Sequence, residues 1–189
     1  MPNYVTNKIE FQGKKNDIET VLELIAGEDE YIDFDKIVPS PDYIYQGDLG
    51  PEERKLYGEN NWYDWNRRYW GTKWNAFSSC LEEYNVLIFE TAWTAPIPVF
   101  EKLAQLCQEH NVDFIGKWAD EDCGSNTGVF SCQRDDDTYY FDYECMEDSS
   151  DDAYDIYVEL NGAHMCIGKD ENGHWTRYEC DTCPNKENC

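Results

Sequence analysis

Residues 3–27 pass from an alternating pattern to a helical one, and this change constrains the fold more than any other part of the sequence. In residues 3–12, Val5, Ile9 and Phe11 fall on one face of a strand, and mostly polar side chains fall on the other. A helical stripe follows, with apolar residues at the i, i+3, i+4 and i+7 positions: Ile18, Val21, Leu22 and Ile25. A strand and a helix that each bury one side predict helices layered on a sheet.

The later elements continue this alternation of strands and helices. Residues 86–93 are apolar on both faces at first and predict an interior strand, and two prolines precede a helix at residues 99–110. The order of elements predicts an α+β fold, a ferredoxin-like sandwich with a mainly antiparallel sheet and helices on one face. The other predicted segments are an extended segment at 31–38, a helical stretch at 51–70, the start of a strand within 73–78, and strands at 112–118, 128–132 and 138–143. An acidic loop is predicted at 148–152 and a hairpin of 164–168 with 175–179, and residues 154–160 suit a strand or a helix.

Four short motifs occur in this order along the chain: Met1-Pro2-Asn3, FDKIVPSP at residues 34–41, WGTKWNA at 70–76 and FETAWTAP at 89–96. Together they resemble the YubB-type ferredoxin-like domain family of phages, plasmids and other mobile elements, over about residues 1–133. The resemblance implies a fold, which is named for its topology and not for an iron–sulfur cluster, and it supplies no catalytic residues. Its signature residues are Trp70, Gly71, Thr72, Lys73, Trp74, Asn75 and Trp93.

The end of the resemblance divides the chain. Residues 1–133 are predicted to form the ferredoxin-like domain, with a helical insertion at about residues 42–72. Residues 134–189 are predicted to form an acidic, Cys-rich C-terminal extension packed on that domain, and they hold five of the nine cysteines.

The charge of the chain is strongly one-sided, with 40 Asp and Glu against 15 Lys and Arg and a formal net charge of −25. Such a field repels DNA, RNA and anionic membranes and attracts cations and basic proteins. Two interpretations remain open: the charge serves solubility, or it imitates the spaced charges of a nucleic-acid backbone. Ten carboxylates within residues 135–155, which contain no Lys or Arg, form the predicted interaction surface: Asp135, Asp136, Asp137, Asp142, Glu144, Glu147, Asp148, Asp151, Asp152 and Asp155.

Four of the seven tryptophans, Trp62, Trp65, Trp70 and Trp74, lie within residues 60–76 beside two arginines. An aromatic stripe at helical spacing is typical of a core. Exposed aromatic and arginine side chains are instead typical of a partner interface. Base stacking on nucleic acid is a third interpretation, and the net charge argues against it.

The C-terminal cysteines predict one structural zinc. Cys180-x2-Cys183 and Cys189, with His174 before them, can close a tetrahedral site. Cys166 or Cys145 can replace one of these ligands. Free or mutually oxidised thiols, and a redox or iron–sulfur role, remain open alternatives.

The sequence contains no P-loop, Gly-x-Ser-x-Gly, His-Glu-x-x-His or dinucleotide motif, so nothing in it supports an enzyme. We predict a non-enzymatic interaction protein of a mobile element, which binds a basic, nucleic-acid-handling protein of the host or the element as a nucleic-acid-mimicking inhibitor or counter-defence factor. The alternative is a small enzyme or ligand-binding domain with a tryptophan-lined pocket.

With no signal peptide and no stretch of about 18 apolar residues, we expect a protein of the bacterial cytoplasm that contacts neither membrane nor nucleic acid directly.

Overall fold

A six-stranded antiparallel sheet forms the centre of the protein. The computed structural model describes residues 2–135, 138–162 and 166–178. The sheet contains β1 (Tyr4–Gln12), β2 (Phe77–Glu83), β3 (Val86–Ala92), β4 (Asp113–Asp120), β5 (Thr127–Asp135) and β6 (Thr138–Cys145), in the order β2-β3-β1-β4-β5-β6. The four strands β2-β3-β1-β4, with helices after β1 and β3, have the topology of a ferredoxin-like sandwich. The predicted fold class is therefore confirmed.

The main core lies between one face of the sheet and the helices α1 (Lys15–Ile25) and α5 (Ile97–Glu109). Val5, Ile9 and Phe11 are fully buried on this face, as the alternation of residues 3–12 predicts. The helices contribute the buried residues Ile18, Val21, Ile25, Val99, Phe100, Leu103 and Cys107. Periodicity was sufficient to predict this layer, because both helices bury a single stripe.

Helix α6 (Asp151–Asn161) lies on the opposite face of the sheet. Thr6 Oγ1 donates to Asn161 Oδ1 at 2.7 Å, and Lys8 Nζ lies 3.5 Å from Glu159 Oε1, so the polar side of β1 carries the helix. Residues 154–160 are thus helical. The predicted loop at 148–152 is partly wrong, because Ser150 Oγ accepts from Ala153 N and starts the helix at Asp151.

A small second core joins α6 to the hairpin of β7 (Ile167–Lys169) and β8 (Trp175–Arg177). Its buried members come from the sheet, the loop after β4, α6 and β7: Ala119, Cys123, Tyr154, Ile156, Tyr157 and Ile167. The hairpin lies where the sequence predicts one, as far as the described residues extend.

The segment between α1 and β2 contains α2 (Phe34–Ile37), α3 (Pro51–Tyr57) and α4 (Trp62–Tyr69), and α3 and α4 lie within the predicted insertion at 42–72. The predicted extended segment at 31–38 is wrong at its centre, because Asp33 Oδ1 accepts from Asp35 N at 2.9 Å and caps one helical turn. The helical stretch at 51–70 is confirmed and is interrupted after Tyr57. Strand β2 begins at Phe77, within residues 73–78, where the sequence predicts its start.

Strand β5 runs across residue 133, where the sequence places the start of the extension. It pairs with β4 on one side and β6 on the other, so the sheet continues from the predicted domain into the extension. The division of the chain at this position stays a prediction.

Candidate functional site

The predicted acidic interaction surface divides into three groups. Asp136 and Asp137 lie outside the described residues, and Asp135 is described only as the last residue of β5. Asp151 and Asp155 are engaged with the hairpin. Five carboxylates are exposed on β6, the turn after it and the start of α6: Asp142, Glu144, Glu147, Asp148 and Asp152. We call these five residues the acidic face.

Asp151 and Asp155 hold the β7–β8 hairpin on α6. Asp151 contacts His174 Nδ1 at 2.5 Å and accepts from Trp175 N at 2.7 Å, and Asp155 accepts from Trp175 Nε1 at 2.7 Å. The hydrogen bond from His174 keeps the pKa of Asp151 below its ordinary value, and the same pair raises the pKa of His174. These two carboxylates therefore have structural partners, and the composition of the segment could not distinguish them from the other eight.

In the part of the chain that the structure describes, the acidic face has no such cationic partners. None of its five carboxylates forms an ion pair with any described lysine, arginine or histidine. Asp148 Oδ1 accepts from Asn126 N at 3.3 Å, so the loop between β4 and β5 contacts this end of the face. The face is thus free to attract an external cation or a basic surface.

A groove of about 410 Å³ lies next to Asp142 and Glu144, on the sheet face that carries α6. Its floor is largely apolar and includes Ile115 and Val129. The other side of the groove is formed by Lys8, Lys117 and Glu159. The ammonium groups of both lysines contact the carboxylate of Glu159. The hydrogen bond from Lys117 lowers the pKa of Glu159. Lys8 and Lys117 share one carboxylate within the groove, while Asp142 and Glu144 form no ion pair with any described cation.

Glu159→Gln is expected to lower the free energy of unfolding by about 0.5–1 kcal/mol, because partly exposed ion pairs contribute little each and this carboxylate serves two lysines. The pKa of Glu159 is lowered in the folded protein, so its contribution is complete above the ordinary glutamate pKa. That contribution should disappear as the pH falls through the lowered pKa. Urea unfolding at neutral and acidic pH measures both effects. Glu19→Gln, which removes a single exposed pair with Lys15, is the control and should change stability by less.

Asp120, the last residue of β4, has a buried carboxylate that accepts hydrogen bonds from the residue before β1 and from the loop after β4. Its side chain is 4% exposed and accepts from Asn3 Nδ2 at 3.1 Å, Asp122 N at 2.9 Å and Asn126 Nδ2 at 3.0 Å. The same Asn126 amide donates to Trp93 O at 2.9 Å. Sequence analysis missed this residue, because nothing local distinguishes it from the other acidic side chains.

The signature residues hold the insertion to the sandwich. Trp70 Nε1 donates to Val38 O at 3.0 Å, Thr72 Oγ1 donates to Ala92 O at 2.6 Å, and Asn75 Nδ2 donates to Asp33 Oδ1 at 2.7 Å. Gly71 has a φ of +79°, and a Cβ there would lie 2.8 Å from Pro98 Cδ, so only glycine suits the position. These contacts give the signature a structural role.

The tryptophan cluster is divided between core and surface. Trp65 and Trp70 are buried, whereas Trp62 and Trp74 are half-buried. A cavity of about 420 Å³ beside the insertion is lined by Trp70 and Asn66 together with Asp35 and Asp42, and not by the other three tryptophans of the cluster. The tryptophan-lined pocket of the alternative function stays a prediction.

The predicted zinc site falls mostly on residues that the structure does not describe. Cys180, Cys183 and Cys189 lie beyond residue 178, and only His174 of the four ligands is described. Cys145 is exposed at the end of β6. Within residues 2–135, 138–162 and 166–178, no three His, Cys, Asp or Glu side chains are grouped to hold a metal ion. One structural zinc stays a prediction.

Comparison with known proteins agrees with the topology. Residues 69–159 match a family model described as a ferredoxin-like domain in Api92-like protein. The matched segment is just under half of the chain, runs from the end of α4 into α6, and includes the acidic face. No curated protein and no solved structure matches the chain. In the described residues, no helix has the length and apolar character needed to cross a membrane.

Proposed function

We propose that this chain is a non-enzymatic interaction protein that binds a basic, nucleic-acid-handling protein through its acidic face. The observation that carries the proposal is the set of five exposed carboxylates without cationic partners among the described residues, next to an open groove. A net charge of −25 adds a long-range attraction for basic proteins and speeds their association.

The groove supports the same class of partner. Lysine and arginine side chains have an apolar stem and a charged head. The floor at Ile115 and Val129 suits the stem, and Asp142 and Glu144 at the rim suit the head. A basic side chain of the partner can therefore use both parts of the groove.

The proposal extends to a biological role. A surface that imitates spaced phosphates can occupy a nucleic-acid-binding site and block it, which suits an inhibitor or counter-defence factor encoded by a mobile element. The partner is a protein of the host or of the element, and both would act in the bacterial cytoplasm. The resemblance of the four short motifs to the YubB-type family supports this part of the proposal.

Neutralising the acidic face is expected to weaken partner binding by roughly 10- to 100-fold, because each exposed charge pair contributes up to about 1 kcal/mol. The test variant combines D142N, E144Q, E147Q, D148N and D152N. The control combines E23Q, E28Q, D29N, E82Q and E101Q, which changes the net charge equally at exposed positions elsewhere. Affinities for purified basic proteins captured from a bacterial lysate are measured between about 50 mM and 200 mM salt.

Equal losses in the two variants would show that net charge alone attracts the partner, and an unchanged affinity of the test variant would exclude the acidic face. Mimicry is tested by competition. The protein should displace duplex DNA from the captured partner, and the test variant should displace it at correspondingly higher concentrations.

A further inference from the structure

The insertion, the segment before β2 and the loop after β3 together carry aromatic rings covered by cations, which the sequence pattern does not distinguish from the buried tryptophans. Arg54 and Arg67 lie over the ring of Tyr63, at 5.3 and 5.4 Å from its centre. Lys73 Nζ lies 4.3 Å from the ring centre of Trp74 and 5.0 Å from that of Trp93. Tyr63 and Trp93 meet edge to face at 6.3 Å and join the two groups. The basic–aromatic patch comprises Arg54, Tyr63, Arg67, Lys73, Trp74 and Trp93.

The three cations of this patch have no carboxylate partner among the described residues, although the chain has 40 acidic side chains. Their neighbour Arg68 pairs with Glu59 at 2.9 Å. A guanidinium held over an aromatic face keeps its N–H edge available to an anion. The patch is therefore ordered by its rings and open to an external carboxylate or phosphate.

Trp93 is held at the border of the patch by its backbone. Its φ is +77°, a conformation that bulky residues rarely adopt. Trp93 N donates to Asn3 O at 2.9 Å, and Trp93 O accepts from Asn126 Nδ2 at 2.9 Å. The indole remains 36% exposed in this position.

The acidic face begins at the same asparagine. Asn126 binds Trp93 through its side chain and Asp148 through its backbone N–H. A positive surface and a negative surface therefore lie side by side, with Asn126 between them.

We propose that the basic–aromatic patch binds the acidic face of a second copy of this chain, about a two-fold axis near Asn126. Adjacent patches of opposite charge are self-complementary under two-fold rotation, because each copy offers what the other lacks. Nucleic acid suits the patch less well, since the net charge repels a polyanion and cations already cover the ring faces. Self-association depends on this local complementarity and on salt screening of the net repulsion between two acidic copies. It stands whether or not the acidic face also binds a basic protein.

The test is a charge exchange between two variants, measured by sedimentation equilibrium at about 0.15 M salt, where screening over roughly 8 Å reduces the repulsion between two acidic copies. The unaltered protein should form a reversible dimer with rising concentration. R54E/R67E alone and E147K/D152K alone should each self-associate at least about tenfold more weakly, since attraction becomes repulsion. A mixture of the two variants should recover a heterodimer, because both contacts are again between opposite charges.

K14E/K102E and E23K/E28K are matched controls, which reverse the same charges at exposed sites outside both surfaces and should leave the dimer intact. A protein that stays monomeric at every concentration, a folded pair of variants that fails to associate on mixing, or controls that dissociate equally would each overturn the proposal. Binding of a fluorescent single-stranded oligonucleotide that R54E/R67E abolishes would assign the patch to nucleic acid instead. R54E/R67E should still bind a basic protein, so failure of the dimer and failure of the proposed function give different results.

Discussion

Gly116→Ala is expected to lower the free energy of unfolding by about 3 kcal/mol, the upper range for an overpacked core. A Cβ at this position of β4 would lie 2.1 Å from Phe130 Cζ and 2.6 Å from Lys8 O. The Phe130 ring is buried and stacks on Phe100 with 4.1 Å between ring centres, so it has no free space to enter. Lys8 O belongs to the central strand of the sheet, and moving it would disturb the pairing on both sides of β1.

Urea unfolding followed by far-ultraviolet circular dichroism measures this loss. Gly168→Ala is the control, because it also lies in a strand and its nearest added contact, Tyr178 Cε2, is at 3.2 Å. A Gly116→Ala protein as stable as the control would show that the Phe130 ring does not pack over β4 as described.

Asp120→Ala is expected to destabilise the protein by about 2–3 kcal/mol, since it removes three hydrogen bonds to a buried carboxylate and leaves one backbone donor without its acceptor. The backbone N–H of Asp122 would lose its acceptor, and the amides of Asn3 and Asn126 would each lose one of two acceptors. Because Asn126 also holds Trp93, the variant should loosen the junction between the basic–aromatic patch and the acidic face.

Thermal unfolding gives the stability change, and the part of the tryptophan fluorescence that Trp93→Phe removes reports on the junction. Asp120→Asn keeps the size of the side chain and one acceptor oxygen, so its loss of stability should lie between those of Asp122→Ala and Asp120→Ala. Asp122→Ala removes an exposed carboxylate that accepts a hydrogen bond from the side chain of Asn3. This substitution should lower the free energy of unfolding by less than about 0.5 kcal/mol. Equal stability of the Asp120→Ala and Asp122→Ala proteins would contradict the role given to Asp120.

The sandwich was predictable because its elements are long and periodic. Val5, Ile9 and Phe11 identify β1 by alternation, and the stripes of α1 and α5 identify the two helices beneath the sheet. Helix α2 was missed because four residues are too few for a period to emerge, and its only signal is the cap at Asp33. The start of α6 was missed because a run of carboxylates resembles a loop, although Ser150 before it is a good N-cap.

The acidic surface was predictable in outline only. Composition located the carboxylates on residues 135–155, but it could not show that Asp151 and Asp155 are occupied by a hairpin that follows later in the chain. The basic–aromatic patch had a weaker signal still. It depends on Trp93 and Lys73 meeting across two loops, and a tryptophan at positive φ has no local sequence cue.

The position of β1 in the middle of the sheet has a consequence for biosynthesis. Val5 lies opposite Thr91 in β3 and Asp120 in β4, so both neighbours of β1 are made long after it. At typical rates of translation this interval lasts on the order of ten seconds. The hairpin of β2 and β3 forms from adjacent residues, and so does that of β5 and β6. The nascent chain therefore carries an apolar, unpaired segment at Val5, Ile9 and Phe11 until β4 has left the ribosome, and this is the period in which it is most exposed to misassembly.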